Sequence, residues 1–124
     1  MVLTSQDLLA GVNKPLDPDN LTDLEKKHLP VITAPDQVKA GECFDVTVEV
    51  GQLMPHPNEQ SHFIRFIDLY AGDRYLARLS LAAGTTCPVL RARIRLSKNP
   101  GPLRALDVCN LHGAWESTKA VEVV

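Results

Sequence analysis

Imidazole and thiolate are the side chains best suited to a first-row transition metal, and this chain of 124 residues offers only four histidines and three cysteines. Every histidine lies in a distinctive short segment. These are Lys26-Lys27-His28-Leu29-Pro30, Pro55-His56-Pro57, Ser61-His62 and Cys109-Asn110-Leu111-His112-Gly113-Ala114-Trp115. His56 stands between two prolines, which hold its backbone extended, and such rigidity suits a ligand that must stay in place. His62 follows across a short loop, and His112 returns after a turn from Cys109.

A lone surface histidine is ordinarily solvated, and a lone cysteine on a strand is ordinarily a small buried hydrophobe. Taken together, four histidines in rigid or turn contexts and one paired cysteine point to a metal centre. A structural zinc site uses four ligands, usually richer in sulfur. A blue-copper centre uses two histidines, a cysteine and a weak axial methionine, but the methionines here are Met1 and Met54 and none follows His112. Four nitrogens and one sulfur suit a square pyramid with one position open to a small oxygen species, with iron as its metal.

Such ligands must be held by a rigid frame, and from residue 29 onward the pattern alternates with period two. Phe44-Asp45-Val46-Thr47-Val48-Glu49-Val50 puts apolar side chains on one face, and Leu90 to Leu96 repeats the pattern with Arg91, Arg93 and Arg95 on the other. Further strands are expected near 29–33, 62–70, 73–82, 103–109 and 117–124. The stretch 62–70 is apolar on both faces, which makes it a central strand. Turn signals at Ala40-Gly41, Ala71-Gly72-Asp73, Ala83-Gly84-Thr85 and Asn99-Pro100-Gly101-Pro102 separate the runs. About seven short strands at this spacing predict an all-β fold, an immunoglobulin-like antiparallel β-sandwich. Residues 1–24 read as an irregular N-terminal arm, and 25–124 as the metal-binding domain. Within the arm a short helix is possible at 6–11. A helix cap could sit at Thr22, with Glu25 three residues on.

Composition narrows the classes. A net charge of -2 excludes the basic balance of a dedicated nucleic-acid binder. No apolar run approaches the ~20 residues that span a bilayer, and the first residues carry acidic Asp7 without a basic start, so a secretion signal is not expected. Three widely spaced cysteines make no disulfide framework, which fits a reducing, cytoplasmic setting.

The three motifs resemble those of the superoxide reductases of the catalytic-domain-only type, also called neelaredoxins, within the desulfoferrodoxin family. They read Lys26-Lys27-His28-Leu29-Pro30, then His56-Pro57-Asn58-Glu59-Gln60-Ser61-His62, then Cys109-Asn110-Leu111-His112-Gly113-Ala114-Trp115. The resemblance covers about 25–124, without the cysteine-rich iron domain that some relatives carry ahead of it. It implies one-electron reduction of superoxide to hydrogen peroxide at one non-haem iron. It implies His28, His56, His62 and His112 as equatorial ligands, His112 through the opposite ring nitrogen, and Cys109 as the axial ligand. It further implies a rubredoxin-like or other small electron donor, and a homo-oligomer, dimer or tetramer, is expected. Cys43 and Cys87 fall outside the motifs.

Lys27 occupies the family's lysine position and is the candidate catalytic residue, drawing in the superoxide anion. A Lys-Lys pair elsewhere would be an ordinary solvated loop. The glutamate expected two residues before the first histidine is replaced by Lys26, and Glu25 is one position too early. In an extended segment that offset turns Glu25 away from the iron. The alternatives from other classes are a non-catalytic metal-binding or electron-transfer β-sandwich and a metal-free interaction module.

Overall fold

The computed structural model describes residues 7–124. In chain order the elements are β1 (Val12–Asn13), α1 (Asp23–His28), β2 (Val31–Thr33), β3 (Gln37–Val38), β4 (Phe44–Glu49), β5 (Ile64–Ala71), β6 (Arg74–Ser80), β7 (Val89–Ile94), β8 (Leu103–Cys109), β9 (Gly113–Lys119) and β10 (Glu122–Val123). They form a five-stranded sheet in the order β1-β9-β8-β5-β6, facing a three-stranded sheet β2-β4-β7. A short parallel pair, β10-β3, is added to these. The long pairings are all antiparallel.

Alternation builds the core. Val46, Val48, Leu90 and Ile94 face inward from β4 and β7, and Ile67, Leu69, Leu103 and Ala105 meet them from β5 and β8. β-branched residues suit these half-buried pleated surfaces. On the outer face of β7, Arg91 and Arg93 are exposed as their spacing predicts, and Arg93 forks onto Asp45 of β4. β5 is central, lying between β8 and β6. Its buried Asp68 is matched by a two-pronged bond from Arg78 of β6, at 2.6 and 2.8 Å. The guanidinium lies 4.1 Å over the Phe66 ring.

Three expectations need correction. The strand expected at 117–124 is instead β9, which begins at Gly113, followed by the separate β10. Gly113–Trp115 belongs to the strand, because Cys109 pairs directly with Gly113 across a tight hairpin. Of the helix expected at 6–11, residue 6 lies outside the described residues, and 7–11 form a turn closed by Ala10 N–H donating to the Asp7 carbonyl. The segment before His28 is not extended: 23–28 is helical, with the cap at Thr22 that the sequence allows.

Two features fix the ligand-bearing end of the sandwich. Pairing between β5 and β8 slips between Ile64 and Phe66, and such a bulge bends a strand and re-aims what precedes it. Within the arm, Leu8 and β1 lie against the hairpin between β8 and β9. β1 pairs in parallel with Ala114 and Trp115, and the Asn13 amide donates to the carbonyls of Leu8 and Ala114, both at 2.9 Å. Gly113 is required there. Its φ is 79°, and a Cβ would strike the Leu8 carbonyl.

Candidate metal centre

α1 is a short helix held by a reciprocal cap. Glu25 N–H donates to the Thr22 hydroxyl at 3.1 Å, and the Glu25 carboxylate accepts from Thr22 N–H at 2.8 Å. The other carboxylate oxygen accepts from Leu16 N–H at 2.9 Å, which ties the arm to the helix. Burial alone would raise the Glu25 carboxyl, but these donors outweigh it and hold it below its ordinary value. The helix stops ahead of Pro30, whose ring disfavours helical geometry in the residue before it. His28, its last residue, is 1 % exposed.

Four segments bring their rings together at this end. The candidate ligand atoms of His28, His62, Cys109 and His112 all lie within 4.8 Å of one another. His56 joins from its proline-flanked loop, its Nε2 3.2 Å from His28 Nε2. Neighbouring rings stand edge to face: His28 to His56 at 4.7 Å, His56 to His62 at 4.7 Å, His62 to His112 at 5.0 Å and His112 to His28 at 4.9 Å. The histidines therefore close a ring in the order 28, 56, 62, 112.

The outer nitrogens settle which atoms face inward. His28 Nδ1–H donates to the Leu24 carbonyl at 2.7 Å, and His56 Nδ1–H to the Pro57 carbonyl at 2.6 Å. Each Nε2 is then a bare acceptor, and the two face each other with no proton to share. His62 Nε2 is buried without a partner. His112 presents the opposite nitrogen, with Nδ1 3.9 Å from Cys109 Sγ. Lone pairs converging in a buried space are costly to leave unmatched, and a cation answers all of them at once. The site therefore fits a metal that takes imidazole and thiolate.

Burial enforces the required protonation states. His28 is pushed down to about 4, chiefly by burial, against the pull of its Leu24 hydrogen bond and with the help of the neighbouring rings. His56 and His62 are also lowered, by burial first. Neutral imidazole is the form that binds a metal. Burial raises the Cys109 thiol, while N–H groups of Leu111 and His112 aimed at the sulfur oppose it. Those donors favour the thiolate, and a bound cation drives the deprotonation outright.

The chain belongs to the desulfoferrodoxin family. The family model of that description matches residues 20–118. A Methanocaldococcus jannaschii protein is 43% identical over 103 residues, covering 81% of this chain and 86% of that one. The superoxide reductase of Pyrococcus furiosus is 33% identical over 114 residues, covering 78% of this chain and 90% of that one. The solved superoxide reductase (neelaredoxin) of Ignicoccus hospitalis superposes with a TM-score of 0.79 at 36% identity, covering 96% of this chain and 98% of that one.

Within this desulfoferrodoxin-family site Lys26 and Lys27 are both half-buried. The charge of Lys27 lowers His56 and His62, behind the larger effect of burial. Glu25 is spent on the helix cap and the arm. The extended backbone on which its expected orientation depended is replaced by a helix, and both carboxylate oxygens are engaged by Thr22 and Leu16. Cys43 and Cys87 are exposed and lie outside the cluster.

Sequence reasoning missed three neighbours. Trp115 stacks on His28 at 4.9 Å and 23°, and its indole N–H donates to the His112 carbonyl at 3.0 Å. Asn58 bridges the His56 loop to the turn after β6, donating to the Thr86 carbonyl at 3.2 Å and accepting from Gly84 N–H at 2.8 Å. Asp107, on the same face of β8 as Cys109, is buried with both carboxyl oxygens unpartnered, and burial pushes it well above its ordinary value. Asparagines inside both ligand motifs were a visible signal for side-chain bracing. The alternation of β8 puts Asp107 on the inner face with Leu103, Ala105 and Cys109, and only its acidic type argued against burial there.

Proposed function

We infer that this chain is a superoxide reductase, an oxidoreductase that converts superoxide to hydrogen peroxide at a single iron. The observation that carries the reading is the ring of inward-facing imidazole nitrogens closed by the Cys109 sulfur. Held by His28, His56, His62, His112 and Cys109, iron would supply one-electron chemistry by alternating between its ferrous and ferric states.

The protein's own groups do the rest. Neutral imidazoles add no charge of their own, so the arriving anion meets a field set by the metal and by nearby cations. Lys27 supplies the cationic part at the His56 and His62 side and steers superoxide inward. Its ammonium can donate to the bound anion or to an ordered water, on the path of the two protons that peroxide formation consumes. Trp115 covers the inner side of His28 and keeps water from that face. The N–H groups of Leu111 and His112 steady the Cys109 sulfur and moderate how much electron density it gives. The proposal includes a small electron donor of the rubredoxin kind, a dimeric or tetrameric assembly, and a cytoplasmic setting in which three unpaired thiols persist.

The test is made on purified full-length protein. It should hold about one iron per chain and turn blue on oxidation through thiolate-to-iron charge transfer, a colour that Cys109→Ser abolishes. With a reductant present, the peroxide formed should equal the superoxide consumed. A colourless zinc protein from iron-rich medium would overturn the reading, and so would peroxide at half the superoxide consumed, the yield of dismutation.

A further inference from the structure

Asn110 lies between Cys109 and Leu111 in the hairpin motif, where its type suggests only a turn former. Its backbone is not left-handed; among the described residues the one non-glycine with positive φ is Asn99. The side chain is instead spent across the site. Its Nδ2 donates to the Ser61 carbonyl at 2.9 Å, and its Oδ1 accepts from Phe63 N–H at 2.9 Å. The Asn110 N–H also donates to the Phe63 carbonyl at 3.2 Å.

The two side-chain bonds fall on the two peptide units that flank His62. The Ser61 carbonyl belongs to the unit before its Cα, and the Phe63 N–H to the unit after it. The other polar group of each unit is also engaged: His62 N–H donates to the Glu59 carbonyl at 3.0 Å, and the His62 carbonyl accepts from Glu59 N–H at 2.9 Å. All four backbone groups around His62 are therefore satisfied, and both planes are pinned. Fixing two adjacent peptide planes fixes φ and ψ of the residue between them. Regular pairing of β5 with β8 ends at Ile64 and Cys109, so no ladder reaches His62. The Asn110 amide extends that pairing with a side chain.

We propose that Asn110 is the positioning residue of the metal site. Through its amide, the strand end that carries Cys109 sets the backbone of His62, so the sulfur and that imidazole are held as one unit. The inference rests on the metal reading above. It assigns Asn110 no contact with metal or substrate. A ligand whose backbone is pre-set loses little freedom on binding, and loss of such support typically costs 10–100-fold in metal affinity.

The experiment compares iron-loaded full-length wild type with Asn110→Ala, Asn110→Gln and Leu103→Val, the last a core truncation at the opposite end of β8. The readouts are the rate of ferrous iron loss to bipyridine, well below every melting temperature, and the thiolate-to-iron band of the oxidised protein. Both Asn110 variants should lose iron about ten-fold faster or more and shift the band, since glutamine keeps the amide but not its reach. Leu103→Val should melt earlier with iron release and spectrum unchanged. If Asn110→Ala does not fold, Asn110→Gln decides. Wild-type release and spectrum in a folded Asn110 variant would overturn the positioning role and leave the metal reading intact. A wild type without iron or thiolate band would overturn the metal reading itself.

Discussion

Lys26 and Lys27 are adjacent and chemically identical, and the charge of Lys27 reaches His56 and His62. If it steers the anion, Lys27→Ala should slow the bimolecular reaction with superoxide by about ten-fold at low salt. It should also flatten the ionic-strength dependence, because added ions screen the attraction. Lys26→Ala should stay close to wild type in both. Pulse radiolysis across a salt series reads the two slopes, and equal slopes for wild type and Lys27→Ala would remove Lys27 from the mechanism. At this scale much was legible in the sequence. Histidine and cysteine are scarce in the chain, so their concentration in rigid motifs carried information, and the cluster brings His28, His62, Cys109 and His112 together, with His56 against His28. Asn110 and Asn58 were visible as candidates for bracing, but their partners were not legible, because an asparagine in a turn has several uses and only the neighbouring backbone selects one.

The element that most changes the picture is α1. Six residues are too few for a helical period to show, so the segment gave mixed signals: a cap pair at Thr22 and Glu25, and a run toward Pro30 that also reads as extended. The capping box decided it. Its loss is expected to loosen the seat of His28 only slightly, since the ring is also held by Leu24 and Trp115. Thr22→Ala should cost about 1 kcal/mol, a fall in Tm of a few degrees. Glu25→Ala should lower stability as well, yet leave the visible spectrum of the oxidised protein unchanged, because its carboxylate serves the cap. A changed spectrum in Glu25→Ala would put that carboxylate at the metal instead. The sign with pH follows from the lowered carboxyl. The contribution of Glu25 is present in full above the ordinary glutamate value, and it fades as pH falls through the lower folded-state value. The stability gap between wild type and Glu25→Ala, from urea melts at several pH values, should therefore close in acid.

Across the whole molecule, ligands from positions 28 to 112 converge because β5, β8 and β9 are sheet neighbours that end or begin beside one another. The alternation in 44–50 and 90–96 made two paired strands of the three-stranded sheet readable. The start of β9 at Gly113 was not, since a glycine after a ligand motif looks like a turn until the overlying arm explains it. The same end of the molecule holds the chain's single tryptophan, 2 % exposed and stacked on His28. Its light emission comes from one place, stacked against the ring of His28, which would hold the iron. A paramagnetic, light-absorbing ion so near should drain the excited indole before it emits. The protein would then carry its own optical gauge: bright when stripped of iron, dim when loaded, with a break in the titration at one equivalent. Equal emission with and without iron would mean that the ion is bound somewhere other than beside Trp115.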